Sequence, residues 1–331
     1  MSNQFEGQPY CKIGYVFAPN KEQTVIQPSL ITKATEQGIG LIRIDPDKPL
    51  TEQGPFDCIM HKLYGPDWTQ QLQQFSSRNP DVRIIDPPES IERLHNRDSM
   101  LEVVSRLKIE LNKEKVSVPN QAVVSETELL TRDMAIEELK LRFPLIAKPL
   151  EANGSDKSHQ MYLIFDNEGL EVLEAPILLQ EFVNHGGMIF KVYVAGSSVK
   201  CVKRKSLPDI SEEKMKSLKG FLPFSQISSN SVDADEEVDL EKTEMPREGF
   251  VVELSRALRE ALGLNLFNFD LIRDAGERDG YLVIDINYLP GYAKLPGYET
   301  LLMDFFLNVA KSKAVEEVTS GDELNESVCL Q

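Results

Sequence analysis

The chain has 331 residues, of which 41% are hydrophobic and 27% are charged, a composition typical of globular proteins with two or three domains. Its net charge of −17 argues against nucleic-acid binding through overall electrostatic attraction. No apolar run reaches the roughly 20 residues of a membrane span, and no basic segment precedes an apolar stretch at the start, so we expect neither a membrane span nor a secretory signal.

The first part of the chain alternates strand-like and helical segments. A helix is predicted over residues 27–37, ending at Gly38. Strands are predicted at residues 12–18, 39–44, 57–63 and 83–89, the last stopped by two prolines. Because strands separated by helical stretches favour a parallel sheet, we predict an N-terminal α/β domain over residues 1–95.

The second part, residues 96–313, mixes helices with strands that follow one another directly. Amphipathic helices are predicted at residues 96–111, 126–141 and 251–263. Strands are predicted at residues 143–150, 161–165, 177–183, 265–274 and 281–289, and a hairpin over 189–204 turns at Gly196-Ser197. This order favours an α+β arrangement after the first domain.

Two segments are acidic and poor in apolar residues. We expect residues 230–248 to form a mobile loop and residues 314–331 to form a disordered acidic tail. The four cysteines are scattered without paired spacing: Cys11, Cys58, Cys201 and Cys329. This pattern argues against a disulfide framework or a zinc site, and we expect a monomer in the cytoplasm or nucleus.

Residues 183–208 contain no Asp or Glu, although the chain as a whole is strongly acidic. The cations in this stretch are Lys191, Lys200, Lys203, Arg204 and Lys205. Such a segment is consistent with a local anion-binding surface, and equally with a solvated hairpin face that lacks acids by chance. Composition alone leaves both interpretations open.

The last two predicted strands carry polar residues on one face. Folding them as a hairpin about residues 277–278 brings Asp270 nearly opposite Asp285, with Asn287 on the same face of the second strand. Facing carboxylates repel each other unless a cation lies between them, and oxygen ligands of this kind suit Mg²⁺. A single strand acid is usually only solvated, but the register match together with Asn287 favours a metal site.

Other residues have side chains or spacing suited to phosphates. Lys148 ends an apolar strand, where it could contact a nucleotide or simply extend to solvent. Residues 154–159 could form a phosphate loop, but their single glycine makes the signal weak. The strand 177–183 leads into Asn184-His185-Gly186-Gly187 and resembles a hinge whose backbone reads adenine. No GxSxG motif supports a nucleophile.

With these pieces in place, the sequence closely resembles the inositol-tetrakisphosphate 1-kinase family, also called the inositol 1,3,4-trisphosphate 5/6-kinase family, and most of all its plant members. The resemblance covers about residues 10–312. The segments that carry it are IGYVFAPNK (13–21), HKLYG (61–65), IIDPP (84–88), HNRDSM (95–100), IAKPL (146–150), GSDKSHQM (154–161), LLQEFVNHGGMIFKVYVAG (178–196), VKRKSLPD (202–209), LFNFDLIRD (266–274) and IDINYLPGY (284–292). The resemblance implies an ATP-grasp fold behind an N-terminal parallel α/β (pre-ATP-grasp) domain. It also implies Mg²⁺-dependent transfer of the ATP γ-phosphoryl group to an inositol polyphosphate.

The resemblance also implies roles for individual residues. The metal ligands, for two Mg²⁺ ions, would be Asp270, Asp285 and Asn287. ATP contacts would come from Arg97, Lys148, Gln180, Glu181, Phe182, Val183, Lys191 and Ser206. The inositol phosphate would be held by Lys21, Lys62, His159, Lys191, Asn287 and Gly291, and Lys191 and His159 are the candidate catalytic residues. One departure from the family pattern is Asn268, a position at which many family members have glycine.

Two alternatives share much of this site. An ATP-grasp carboxylate-amine ligase would use the same lysine and metal hairpin but has less need of lysines gathered for a polyanion. A non-catalytic inositol-phosphate sensor would bind without turnover and has no need of all three metal ligands. Phosphoryl transfer is favoured, because that reaction depends on positioning and charge neutralisation.

Overall fold

The computed structural model describes residues 10–107, 109, 113–127, 130, 135–152, 157–224 and 243–311. Its strands form three sheets of four, five and five strands. None of the described helices is long and apolar enough to cross a membrane.

The N-terminal sheet is parallel and has the strand order β2-β1-β3-β4. Its elements are β1 (Cys11–Phe17), α1 (Pro19–Glu22), α2 (Pro28–Glu36), β2 (Ile39–Arg43), β3 (Cys58–Lys62), α3 (Pro66–Arg78), β4 (Arg83–Ile85) and α4 (Pro88–Glu92). Proline opens each of the four helices, where its missing N–H and fixed φ cost nothing. Helix α3 buries Trp68, Leu72 and Phe75 against one side of the sheet. The α/β prediction for this domain is thereby confirmed.

The second sheet is antiparallel and has the strand order β12-β8-β7-β9-β6. With the connecting helices, its region contains α5 (Arg97–Ser105), β5 (Lys115–Ser117), β6 (Gln121–Val124), α6 (Ala135–Glu138), β7 (Leu145–Pro149), β8 (Met161–Ile164), β9 (Ile177–Glu181), α7 (Glu212–Ser217) and β12 (Phe221–Phe224). Strand β5 belongs to the third sheet. Strand β7 lies at the centre of the second sheet and is buried from Leu145 to Lys148.

The third sheet has the order β11-β10-β13-β14-β5. Its remaining elements are β10 (Met188–Ala195), β11 (Ser198–Lys205), α8 (Glu248–Leu262), β13 (Leu266–Arg273), β14 (Gly280–Tyr288) and α9 (298–311). Helix α8 buries an apolar stripe in the largest core cluster and ends at Gly263, whose φ of 68° requires the left-handed conformation that glycine adopts freely. One face of this sheet is therefore core, and the other is available for function.

Most predicted elements are present, and several were predicted too long, three of them by the margins that follow. The fourth strand ends at Ile85 rather than at residue 89, because helix α4 begins at Pro88. The helix predicted over 96–111 ends at Ser105, and the described part of 126–141 is helical only from Ala135 to Glu138. The proposed mobile loop lies mostly, and the acidic tail wholly, outside the described residues.

A buried polar network joins the N-terminal sheet to the third sheet. The hydroxyl of Tyr288 in β14 donates to the carbonyl of His61 and accepts from the N–H of Asp86, both at 2.9 Å. Trp68 Nε1 donates to His61 Nδ1 at 3.1 Å, so His61 Nε2 carries the proton and donates to the Asp86 carbonyl at 2.9 Å. Burial lowers the pKa of His61 to about 4, which keeps the ring neutral.

The carboxylate of Asp86 completes this connection. It is fully buried and accepts hydrogen bonds from the N–H of Asn265, the N–H of Leu266 and the Asn265 side-chain amide, at 2.7–3.0 Å. The start of β13 is thus held by a residue that follows β4. The two domains are connected by satisfied polar groups as well as by apolar packing.

We expect Asp86→Ala to lower the free energy of unfolding by about 3 kcal/mol, because three buried donors lose their acceptor. Urea unfolding followed by circular dichroism measures the change. Asp81→Ala in the same domain is the matched control, since Asp81 is exposed. A loss below about 1 kcal/mol for Asp86→Ala would mean that water replaces the carboxylate at no cost.

Candidate functional site

The functional face of the third sheet is divided into rows by strand register. Asp270 of β13 pairs with Asp285 of β14 on one side and with Lys191 of β10 on the other. In the next row, Asn268 lies between Tyr193 and Asn287. Because side chains alternate across a strand, these polar residues share one face while phenylalanines of the same strands enter the core.

The predicted register of the two aspartates is confirmed. Asp270 and Asp285 are direct partners, and an irregularity in the pairing begins immediately after Asp270. The side-chain amide of Asn287 donates to Asp285 Oδ2 at 2.7 Å, and that of Asn268 donates to Asp270 Oδ1 at 3.3 Å. Two carboxylates and two carboxamides therefore gather in two adjacent rows.

Two cations hold this acidic pair. Lys191 Nζ lies 2.9 Å from Asp270 Oδ1, and Arg97 donates from Nη1 to Asp285 Oδ1 at 3.1 Å. Arg97 also donates to the carbonyls of Pro149 and Ser158, which places the guanidinium between the second and third sheets. The Arg97 side chain is only 11% exposed, so its positive charge lies inside the site.

The pKa values of the aspartates move in opposite directions. Burial raises the pKa of Asp270, and the opposing effect of Lys191 does not cancel that increase. Burial also acts to raise the pKa of Asp285, but Arg97 and Lys148, with the Asn287 hydrogen bond, outweigh it and leave the pKa below its usual value. Asp285 is therefore the more readily ionised carboxylate of the pair, and a bound cation would favour ionisation of Asp270 as well.

The donor set fits a hard cation such as Mg²⁺. Asp270, Asp285 and Asn287 offer carboxylate and amide oxygens, the ligands that Mg²⁺ takes in proteins. The buried Asn268 Oδ1 has no hydrogen-bond partner among the described residues and adds one more oxygen nearby. Within the described ranges no three His, Cys, Asp or Glu side chains gather, which leaves this mixed set as the candidate metal centre.

Lys148 occupies the floor between the two sheets. Its ammonium donates to Gln180 Oε1 at 2.8 Å and to the Ile284 carbonyl at 3.2 Å, and the residue is 3% exposed. Burial and the nearby Arg97 lower its pKa to about 8. The alternative that this lysine simply extends to solvent is wrong.

Six of the eight predicted nucleotide residues line one narrow cavity, whereas Arg97 and Lys191 lie at the aspartate row instead. Those that line the cavity are Lys148, Gln180, Glu181, Phe182, Val183 and Ser206, joined by Pro119, Ile146, His185, Leu207, Ile272 and Ile284. The walls of this cavity are mainly apolar, which suits the flat ring of a nucleotide base. The backbone N–H of Val183 makes no hydrogen bond to any described residue, so it is available to a base edge.

His185 lies in the hinge that the sequence places beside adenine, but no individual role was predicted for it. Its Nδ1 lies 2.7 Å from the Val183 carbonyl, so Nδ1 carries the proton and Nε2 accepts from the hydroxyl of Ser206 at 2.7 Å. Asp209 accepts from the N–H groups of His185 and Gly186. The histidine therefore orients Ser206 towards the cavity, a role that no sequence spacing reveals.

The predicted acceptor residues come from both ends of the chain. Lys62 Nζ donates to the carbonyls of Tyr288 (2.5 Å) and Leu289 (3.0 Å), immediately after the metal strand. Burial and the neighbouring Lys21 lower the pKa of Lys62 to about 7. Gly291 lies against Thr24, and a Cβ at residue 291 would come 3.3 Å from Thr24 Cβ. A side chain at residue 291 would thus crowd the contact with Thr24 of the N-terminal domain, a feature that the sequence did not reveal.

His159 makes no side-chain hydrogen bond or ion pair with any described residue. It ends a short 3-10 turn and is exposed, and only its neighbour Ser158 touches the site, through Arg97. The preceding residues 153–156 lie outside the described part of the chain. Arg204, by contrast, was seen only as part of an acid-free stretch; it lies on the functional face, opposite Ile189, and reaches the Lys294 carbonyl at 3.3 Å.

Comparisons with known proteins agree on both halves of the chain. The sequence profile of the inositol 1,3,4-trisphosphate 5/6-kinase pre-ATP-grasp domain matches residues 12–91, and that of the ATP-grasp domain of the same family matches residues 110–308. The chain is 54% identical over 308 residues to inositol-tetrakisphosphate 1-kinase 1 of Arabidopsis thaliana, covering 91% of this chain and 96% of that protein. It is 53% identical to inositol-tetrakisphosphate 1-kinase 2 of Glycine max, covering 94% and 98%.

Solved structures show the same fold at low sequence identity. A RimK domain ATP-grasp protein from Sphaerobacter thermophilus superimposes with a TM-score of 0.56 at 16% identity, covering 90% of this chain and all of that one. D-alanine–D-alanine ligase from Bacillus anthracis, in complex with ATP, gives a TM-score of 0.54 at 15% identity, covering 92% and 99%. The ATP-grasp fold predicted from the resemblance is confirmed.

Proposed function

The chain belongs to the inositol 1,3,4-trisphosphate 5/6-kinase family and is an ATP-dependent inositol polyphosphate kinase, and on that premise we propose that the Asp270–Asp285 row is its reaction centre. The observation that carries this proposal is the position of the Asp270–Asp285 row on the third sheet. Along β14 the row lies between Ile284, which lines the nucleotide cavity, and Tyr288, whose carbonyl accepts from Lys62. A γ-phosphoryl group at the row would meet an acceptor hydroxyl there.

The residues of the nucleotide end have distinct tasks in this proposal. The apolar cavity holds the base, with the free N–H of Val183 and the Ser206 hydroxyl as polar contacts. Lys148 and Arg97 place positive charge where the phosphates enter. Two Mg²⁺ ions bound by Asp270, Asp285 and Asn287 would supply charge neutralisation of the phosphates.

The acceptor end is built for a polyanion. Lys62 of the N-terminal domain donates to the Leu289 carbonyl, Lys21 lies close enough to lower the pKa of Lys62, and Lys191 of β10 contacts Asp270. We propose that Lys191 contacts both the transferred group and the acceptor, since it already borders Asp270. His159 is proposed to contact the acceptor and to steer its hydroxyl proton.

Lys62 makes the acceptor affinity depend on pH. Its pKa near 7 means that the ammonium form predominates below pH 7 and is lost as the pH rises above it. Between pH 7 and 9, where phosphates are already ionised, we expect the acceptor KM to rise up to about tenfold per pH unit. Initial rates at saturating ATP measure this dependence.

Lys62→Met provides the comparison for this pH effect. The variant should bind the acceptor weakly at every pH, and the slope of log KM between pH 7 and 9 should disappear. A slope that persists in Lys62→Met would assign the titration to another group and contradict the role of Lys62.

The kinase assignment has a direct test. Purified protein with ATP, Mg²⁺ and a panel of inositol phosphates should give ADP and phosphorylated inositol in equal amounts, with the new phosphate located by NMR. ADP and free phosphate formed only with an amino acid or peptide would instead identify a ligase. Binding without turnover would identify a sensor and contradict the proposal.

We also propose a cellular compartment and an oligomeric state for this protein. Cys11 and Cys58 are buried and form no disulfide within the described residues, and burial raises the Cys58 pKa, which fits a reducing compartment such as the cytoplasm or nucleus. We propose a monomer. Light scattering at the concentration of the kinase assay tests the monomer.

A further inference from the structure

The segment that follows the metal strand, residues 288–296, is held by cations from other parts of the chain. Lys62 donates to the carbonyls of Tyr288 and Leu289. Arg204 of β11 donates to the Lys294 carbonyl at 3.3 Å, and Lys200 of the same strand donates to the Pro296 carbonyl at 3.0 Å. Each of these cations thus contacts neutral carbonyl groups along one side of the space where we place the acceptor, here called the acceptor pocket.

Lys200 belongs to the functional face by register. It pairs with Tyr193, one row beyond the pair of Lys191 with Val202, and alternation puts it on the same side as Lys191. The two residues lie on neighbouring strands and differ by one row, a Cα separation of about 8 Å from strand geometry. Lys200 therefore lies further from the aspartate row than Lys191.

The charge of Lys200 is not neutralised within the described residues. Its ammonium is exposed, and none of the described carboxylates lies within 4 Å of it. Its one hydrogen bond goes to a carbonyl oxygen, which a phosphate oxygen can replace with a charge-assisted bond. In a chain of net charge −17, a cation that faces the pocket without an acid is suited to an anionic ligand.

We propose that Lys200 forms an outer phosphate subsite, which contacts a phosphate of the acceptor remote from the reacting hydroxyl and favours more highly phosphorylated inositol phosphates. This inference rests on the proposed function. The subsite is separate from the metal row: Lys200 contacts neither aspartate, and its partner is the backbone beyond Gly291. It acts on acceptor affinity rather than on the transfer step.

The test is Lys200→Met, assayed with inositol trisphosphates and tetrakisphosphates that share the same reacting hydroxyl. We expect the KM of the more phosphorylated acceptors to rise about tenfold, that of the less phosphorylated ones to change less than twofold, and kcat to stay constant. Lys200→Arg should retain the preference. Lys205→Met is the matched control, because Lys205 lies on the same strand with its side chain on the opposite face.

The other outcomes each contradict the proposal in a recognisable way. If KM rises by the same factor for every acceptor, Lys200 attracts anions only through its overall charge and does not form a subsite for one phosphate. A uniform fall in kcat would show that Lys200 only holds the Pro296 carbonyl in place. Failure of the proposed function looks different, because the wild-type protein itself would then transfer no phosphoryl group to any inositol phosphate.

Discussion

Asp285→Asn is expected to lower kcat about 10³-fold while the protein stays folded. The substitution removes one negative charge from the row where we place the metal ions and leaves Arg97 facing a neutral amide. Loss of one group that stabilises transition-state charge has effects of this size. Initial rates measured over a range of Mg²⁺ concentrations should show both the lower kcat and a higher Mg²⁺ requirement.

Asp279→Asn is the matched control for Asp285→Asn. Both replace an aspartate of the same hairpin, but Asp279 is exposed in the turn and far along the strand from the metal row. The control should keep wild-type kcat, and circular dichroism should show both variants folded. Unchanged kcat and Mg²⁺ dependence in Asp285→Asn would remove Asp285 from the metal centre.

Lys148→Met is expected to raise the ATP KM at least 30-fold with little change in stability. The ammonium is buried between the sheets, where its attraction to phosphate is only weakly screened by water. Two opposing effects set the stability of the variant. Removing a buried charge stabilises the fold, whereas the loss of the donor to Gln180 Oε1 and the Ile284 carbonyl destabilises it. We expect them to cancel to within about 1 kcal/mol, since the desolvation cost and the two lost hydrogen bonds are of similar size.

Calorimetric titration with ATP and urea unfolding separate these two effects. Lys219→Gln in the same region removes an exposed positive charge and should change neither ATP affinity nor stability. If Lys148→Met binds ATP with an affinity within threefold of wild type, Lys148 does not contact the ATP phosphates. A large loss of stability would make Lys148 primarily a structural residue.

The strand and hairpin elements of the site were predictable because their signals are local. Alternation and turn residues fix the pairing of Asp270 with Asp285, and the structure has that register. The turn at Gly196-Ser197 and the end of α8 at Gly263 follow from the conformational freedom of glycine. The ATP-grasp assignment required the resemblance, since no single motif in the chain specifies it.

The contacts that were missed join parts of the chain remote in sequence. His185 orients Ser206 across 21 positions, and Lys62 reaches the end of β14 across more than 200. The residue pattern left Lys148 open between a nucleotide contact and solvent, because part of its burial comes from β14, which no local pattern reveals. Spacing rules describe one helix or one hairpin, whereas these side chains are placed by packing between domains.

The Asp86–Tyr288–His61 network has a consequence for how the chain can be divided. Sequence profiles separate at residues 91 and 110, yet the N-terminal domain supplies acceptors and donors that β13 and β14 need in order to be buried. A fragment that begins near residue 96 would leave Tyr288 and the start of β13 without these partners. The N-terminal domain is therefore a structural support of the metal-bearing sheet as well as a source of acceptor lysines, and a shortened kinase made by removing it should not fold stably.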